Sequence, residues 1–316
     1  MFNDSIRTDL ASEIKEFRKL TEKDGFYDKT TEINGIKSRE VRILNSSAAD
    51  KTGKPVGTYI TVDFGTAFED EAVFETATEV IADKIKALVG NNLNEDVLLV
   101  GLGNSKLTSD AIGPETLSGI IITRHLKTHL PEIYTELPLR ELSALTPGVL
   151  GTTGIETSDI VKAVTDKIEP SAVIVIDALA SRRAERVCST VQMSDSGISP
   201  GSGVGNHRKE LSKKTLGIPV ISIGIPTVID TATLAYDTFE ALCSAFQSKA
   251  LKELVDEEVI SYKAVCDVLG ESSSNMIVTP RDIDVLVSKS SRLLAFSLNK
   301  ALHGDLTSEE IQSLIN

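Results

Sequence analysis

Three predominantly apolar runs of strand length punctuate the chain, VLLVG (97–101), AVIVI (172–176) and PVISIGI (219–225). Runs of this kind, bounded by turn residues, predict strands covered on both faces, as in a parallel sheet. Around them the apolar spacing changes to three or four. Val73, Ala77, Ile81, Ile85 and Leu88 predict a helix stopped by Gly90, and Leu10, Ile14, Phe17 and Leu20 predict an amphipathic N-terminal helix ended by Gly25. Residues 25–39 read as loop. EVRIL (40–44) and TYITVDF (58–64) flank the turn-rich DKTGKPVG and predict an antiparallel pair. Pro114 and Glu115 suit the first turn of a helix running to about Leu126, because proline needs no N–H there and an acid suits the positive dipole end. Further helices are predicted up to Ile168, from Ala232 to Phe246, from Ile283 to Leu302, and over LTSEEIQSLI, which starts like a capping box. MIV (276–278) is a weaker apolar patch, and 145–158 and 192–211 read as loops. The alternation predicts an α/β class: a doubly wound, mostly parallel sheet flanked by helices, with an antiparallel strand pair attached near the N-terminus.

In such a sheet the carboxyl ends of the strands share one crevice, so side chains just beyond two strand ends can meet although far apart in sequence. Asp110, in VGLGNSKLTSDAIGPE, and Asp177, in VIVIDALASR, follow two of the apolar runs and are the leading candidates for chemistry. Two carboxylates in one site cannot easily both ionise, which supplies the acid and the base for hydrolysing a peptide bond without a metal. The plainer reading of each is a helix cap or a loop hydrogen bond.

Other motifs carry less. GLGN (101–104) departs from G-x-G-x-x-G at Lys106, where the third glycine belongs. PGSGVGNHRKEL (200–211) could bind an anion through backbone N–H groups or be an ordinary loop. His125 and His129 have the spacing to share a metal, but no HExxH is present and a helix C-terminus explains both. His207 and His303 have no ligand pattern nearby, so no metal or other cofactor is expected. Asp195 in DSG, which resembles the D-[ST]-G of pepsin-like proteases, and Asp230 in the similar VIDTAT are second-rank carboxylates, because the strand and helix alternation contradicts an all-β pepsin-like fold; Asp63 in TYITVDFG is another, read equally well as a polar residue on a sheet's outer face.

Composition narrows the partners. A net charge of −13, with 4% aromatic residues and no Trp, opposes direct nucleic-acid binding. Three cysteines without a CxxC pair argue against a disulfide framework, and no segment has the length and apolarity to span or anchor in a membrane.

RTDLASE, YITVDFG, VGLGNSKLTSDAIGP, VIDALASR and the long block SGISPGSGVGNHRKELSKKTLGIPVISIGIPTVID, in this order, resemble the germination protease family of spore-forming bacteria, from about Arg7 past Asp230. The resemblance implies an atypical aspartic endopeptidase with a fold similar to hydrogenase maturation proteases. It also implies a homotetramer, located in the cytoplasm of the developing spore and in the spore core, made as an inactive precursor. Its substrates would be small acid-soluble spore proteins, degraded during germination. The family's catalytic aspartates occupy the motifs that hold Asp110 and Asp177 here. Family substrates are cut after an acid and before a large apolar residue followed by alanine, so Thr8-Asp9-Leu10-Ala11-Ser12-Glu13 implies self-processing between Asp9 and Leu10. Residues 1–9 are then a pro-segment, and 10–316 a single α/β peptidase domain. Two other readings remain open from sequence: a metal-dependent maturation peptidase of similar fold, and a non-enzymatic nucleotide or phosphate binder.

Overall fold

A computed structural model describes residues 8–13, 20–65, 67–90, 95–136, 139–201, 208–245, 261–274, 276–304 and 306–315. Its strands are β1 (Phe26–Ile33), β2 (Ile36–Ile43), β3 (Gly57–Asp63), β4 (Val97–Gly101), β5 (Leu142–Leu145), β6 (Ala172–Ala180), β7 (Thr190–Ser194), β8 (Val220–Asp230) and β9 (Ile277–Val278). Every residue of β4 and β8 is buried, and all but one of β6. The apolar runs have become strands with no solvent face. Their side chains divide by parity, as a pleated strand requires. Val97, Leu99, Ile174, Ile176, Ile221 and Ile223 point into one cluster, covered by the helices Glu71–Val89, Ile112–Ser118 and Ile283–Leu302. Leu98, Val100, Val173, Val175 and Val220 point into the other, covered chiefly by Thr157–Ile168. Each such buried side chain contributes roughly 1.5–3 kcal/mol relative to exposure, so the strand ends that carry the site are fixed from both layers.

The sheet runs β1-β2-β3-β7-β8-β6-β4-β5, with β9 attached to β8. β8, β6, β4 and β5 are mutually parallel. β7 is antiparallel to both β8 and β3, and β1, β2 and β3 form an antiparallel meander. The fold class is therefore the expected one, with three meander strands rather than two.

Several local expectations change. The segment 25–39 contains β1 and the start of β2, joined at Asn34-Gly35, both with positive φ (48° and 86°). That two-residue Asn-Gly connection is the favoured hairpin turn. β1 escaped the apolar pattern because it is a sheet edge whose side chains are mostly exposed. The connection between β2 and β3 holds a short helix, Ser46–Thr52, as well as a turn. The helix expected from Pro114 to Leu126 breaks into Ile112–Ser118 and Arg124–His129. Asn299 explains the break: its Nδ2 donates to Gly119 O at 2.8 Å, and its Oδ1 accepts from Ile121 N at 3.0 Å. A side chain from a neighbouring helix thus takes backbone groups that a continuous helix would pair itself. Of the N-terminal segment expected as an amphipathic helix, residues 14–19 lie outside the described residues; the described flanks hold the 3-10 turns Ala11–Glu13 and Glu22–Asp24. β7 occupies the first residues of the segment 192–211. The helices Thr231–Ala245 and Ile283–Leu302 match their expected spans, and Thr307 and Glu310 form the reciprocal cap expected before Ser308–Ile315.

Candidate active site

β4 and β6 are parallel neighbours, and Gly101 lies opposite Ile176. This register brings Asp177 to the level at which the chain leaves β4. After β4 the chain turns through Gly103 and a 3-10 turn, Thr108–Asp110, before entering the helix Ile112–Ser118. The turn is tight. Asn104 N–H donates both to Asp110 O at 3.0 Å and to Asp110 Oδ2 at 2.9 Å. A Cβ on Gly103, whose φ is +109°, would stand 2.0 Å from Asp110 O, and one on Gly113 would stand 2.3 Å from Leu102 O. Gly103 and Gly113 therefore serve the close return of the chain that presents Asp110. Thr227 of β8 adds a further tie by donating its Oγ1 to Ser109 O at 2.6 Å.

Asp110 and Asp177 line the same cavity, of about 220 Å³, together with Asp9 and Arg208. Asp177 is only 5% exposed, whereas Asp110 is half-buried. Burial raises the pKa of both carboxyls. Asp177 is pushed well above the usual carboxylate range, first by desolvation and then by the charges of Asp110 and Asp9; the Ala178 N–H and Arg208 oppose the shift. For Asp110 the Asn104 N–H and Arg208 offset part of the desolvation. Two carboxyls lining one cavity, one driven harder toward its neutral form, can serve as acid and base.

Both turn-rich segments reach the cavity: Gly148, Val149 and Thr157 come from 145–158, and Pro200, Gly201 and Arg208 from 192–211. His207 lies outside the described residues. His125 and His129 are exposed on Arg124–His129 and do not reach the cavity. Among the described residues no group of three or more His, Cys, Asp or Glu side chains is arranged to hold a metal ion. The second-rank carboxylates have partners elsewhere. Asp63 accepts from Arg186 Nη1 and Thr190 Oγ1, Asp195 from Thr58 N–H, and Asp230 from Tyr262 and Thr233.

The segment Thr8–Glu13 is docked against the same strand that carries Asp177. β6 is bulged against β8 between Leu179 and Ala180, and just there Asp9 N–H donates to Ala180 O at 2.9 Å while Ala180 N–H donates to Asp9 Oδ2 at 2.9 Å. Bulges re-aim a strand and leave backbone groups for other partners. Leu10 and Ala11 are fully buried, and Ala11 packs in a small cluster with Phe26, Val41, Ile43 and Tyr59. The Glu13 carboxylate accepts from Arg182 N–H at 2.7 Å, Arg183 N–H at 3.1 Å and Thr8 Oγ1 at 2.5 Å. Burial nonetheless raises its pKa. Asp9 O accepts from Gln192 Nε2 at 2.9 Å and Lys54 Nζ at 3.0 Å, and Ala11 N–H donates to Gln192 Oε1 at 2.5 Å. Burial lowers the pKa of the Lys54 ammonium, and Asp9 opposes that shift. Lys54, Gln192 and Arg208 were not singled out from sequence, where each reads as an ordinary polar residue of a turn, a strand or a loop. Only their convergence marks them.

The germination protease family model matches residues 6–258. A germination protease of Caldanaerobacter subterraneus subsp. tengcongensis is 42% identical, with 98% of each chain covered. One from Clostridium perfringens is 40% identical over the whole of both chains, and one from Bacillus velezensis is 41% identical over 94% of this chain and 93% of its own.

Proposed function

The chain belongs to the germination protease family, and on that premise we propose that it is an aspartic-type endopeptidase in which Asp110 and Asp177 together activate water. The observation that carries this reading is their placement in one small cavity with Asp9, the acid of a docked acid-Leu-Ala segment. Asp177, the more buried and the more strongly shifted, holds the shared proton and acts as the acid; Asp110, bonded to the Asn104 N–H and facing Arg208, is the ionised base. Asp110 takes a proton from water as the oxygen adds to the carbonyl carbon, and Asp177 protonates the departing amine. Activity then falls at low pH as Asp110 protonates and at high pH as Asp177 ionises.

The substrates proposed are the small acid-soluble proteins of the spore, cut during germination after an acid and before a large apolar residue. Thr8–Glu13 has that pattern, and its contacts suggest how each position is recognised: the acid by Ala180 N–H, the alanine by a fully enclosed site, the terminal glutamate by the N–H groups of Arg182 and Arg183. The same segment makes the chain a zymogen processed between Asp9 and Leu10, so that 1–9 is a pro-segment. The proposed location is the cytoplasm of the developing spore and the spore core, and the proposed assembly, as in the family it resembles, is a homotetramer, which sedimentation equilibrium measures directly. Among the described residues no helix is long and apolar enough to cross a membrane.

The test is to incubate the purified chain, determine its new N-terminus, and add a spore protein as substrate. A start at Leu10 and cleavage after acids in the added protein are expected. A chain that cuts neither itself nor the added protein would refute the reading.

A further inference from the structure

We propose that Lys54 and Gln192 bind the carbonyl oxygen of the peptide bond being hydrolysed and carry its negative charge in the transition state; this rests on the reading that the Asp9–Leu10 bond is cut. Two donors from separate parts of the chain, one ahead of β3 and one on β7, converge on a single acceptor, Asp9 O, at 3.0 and 2.9 Å. That oxygen belongs to the bond with the acid on one side and the buried Leu10 on the other. The Gln192 amide bridges across Leu10: its Nε2 donates to Asp9 O, while its Oε1 accepts from Ala11 N–H at 2.5 Å. The two contacts fix which end of the amide faces the carbonyl, since an N–H needs an acceptor and a C=O needs a donor. Asp9 itself is held by the paired bonds to Ala180, three residues beyond Asp177 on β6. Thus the carbonyl is gripped from outside while the carbon it belongs to lies on a residue that lines the aspartate cavity.

Donors already aimed at an oxygen gain strength as negative charge develops on it, and they need no rearrangement when the reaction occurs. As water adds to the Asp9 carbonyl carbon, its proton passes to the ionised aspartate and the carbonyl π pair moves onto oxygen, opposite the Lys54 ammonium and the Gln192 N–H. Collapse re-forms the C=O and breaks the C–N bond, whose nitrogen takes the proton of the other aspartate. The products are the carboxyl group of Asp9 and the amine of Leu10, with one water consumed. An intermolecular substrate would place the carbonyl after its own acid between the same two donors.

The experiment follows the first-order appearance of the Leu10 N-terminus from the uncut, full-length chain. Lys54→Met and Gln192→Met are each expected to slow it by about 10²–10³-fold, Lys54→Arg by less, with thermal unfolding midpoints close to that of the original chain. In an Asp177→Asn background, which keeps the bond intact, the carbon-13 resonance of the Asp9 carbonyl is expected to move upfield on Lys54→Met, because a hydrogen bond to that oxygen is lost. Unchanged cutting rates in both methionine variants, or an unmoved resonance, overturn the proposal. If Asp177→Asn cuts at the original rate while Lys54→Met is slow, the aspartate reading falls and this one stands. If the chain hydrolyses an added spore-protein peptide but leaves its own Asp9–Leu10 bond whole, this proposal falls and the aspartate reading stands.

Discussion

Two groups of buried charge lie within a few residues of each other at the end of β6, and they are built on opposite principles. At Arg182 the guanidinium reaches Asp237 through both Nε and Nη2 and Glu240 through Nη2 at 2.7 Å, so charge of one sign is met by charge of the other. At Asp177 the near neighbours are Asp110 and Asp9, of the same sign, with Arg208 as an opposing influence. The first arrangement satisfies its hydrogen bonds and ties β6 to the helix Thr231–Ala245. The second leaves carboxyls whose protonation is shifted by their surroundings, which is costly for a structural element and useful for a chemical one. The contrast shows that buried acids in one region of a fold must be sorted by their partners and not by their burial.

That comparison can be broken most directly at the like-charged group. Asp177→Asn and Asp110→Asn are each expected to lower peptidase turnover by about 10⁴-fold, the upper range for loss of an acid or base, measured as initial cleavage rates on a spore-protein substrate. Retained turnover in either would remove that residue from the chemistry. At the paired group the loss should appear in stability instead. Asp237→Ala leaves Arg182 short of its main partner in a buried setting and is expected to cost about 3–5 kcal/mol, read from urea unfolding, with turnover of the remaining folded fraction little changed.

A smaller effect sharpens the geometry. Gly103→Ala forces a Cβ against Asp110 O at a positive φ, and is expected to cost about 1–3 kcal/mol of strain while reducing turnover by shifting Asp110. Full activity would mean that the tight return after β4 is not needed. The smallest effect is on the pH dependence of stability. The Asp177 pKa is raised on folding, so the stability linked to its proton is present at low pH and lost as pH rises through the folded value. Asp177→Asn is therefore expected to match the original chain in acid and to become relatively more stable as pH rises. Parallel thermal melts against pH check the sign, and a difference that grows toward acid would contradict the burial of an uncompensated carboxyl.

Much of the frame could be read from local pattern, because hydrophobic burial acts on short stretches. The runs at 97–101, 172–176 and 219–225 had one physical use, strands closed to water on both faces, and the helix Ile283–Leu302 carried its full period in its own residues. Where the pattern failed, a distant partner had taken over. β1 pairs through its backbone while its side chains remain polar, and the break after Ser118 is made by Asn299 from the far end of the chain. Asp110 and Asp177 could be singled out as acids following buried strands, and the register of β4 on β6 is what brings them to one cavity.

Lys54, Gln192 and Arg208 had no comparable signal, since a polar side chain in a turn or on a half-covered strand has the same local pattern whether it faces water or a peptide carbonyl. The order of residues by itself determined which apolar runs would be buried, where the longest helices would lie, and which acids would stand at strand ends, because those depend on spacing along a few turns or pleats. Only the folded chain decided which charges meet, that Asp9 would pair with Ala180, and that two donors would converge on its carbonyl. Electrostatic and hydrogen-bonding energies depend on distance in space, and distance in space is set by the packing of the whole sheet.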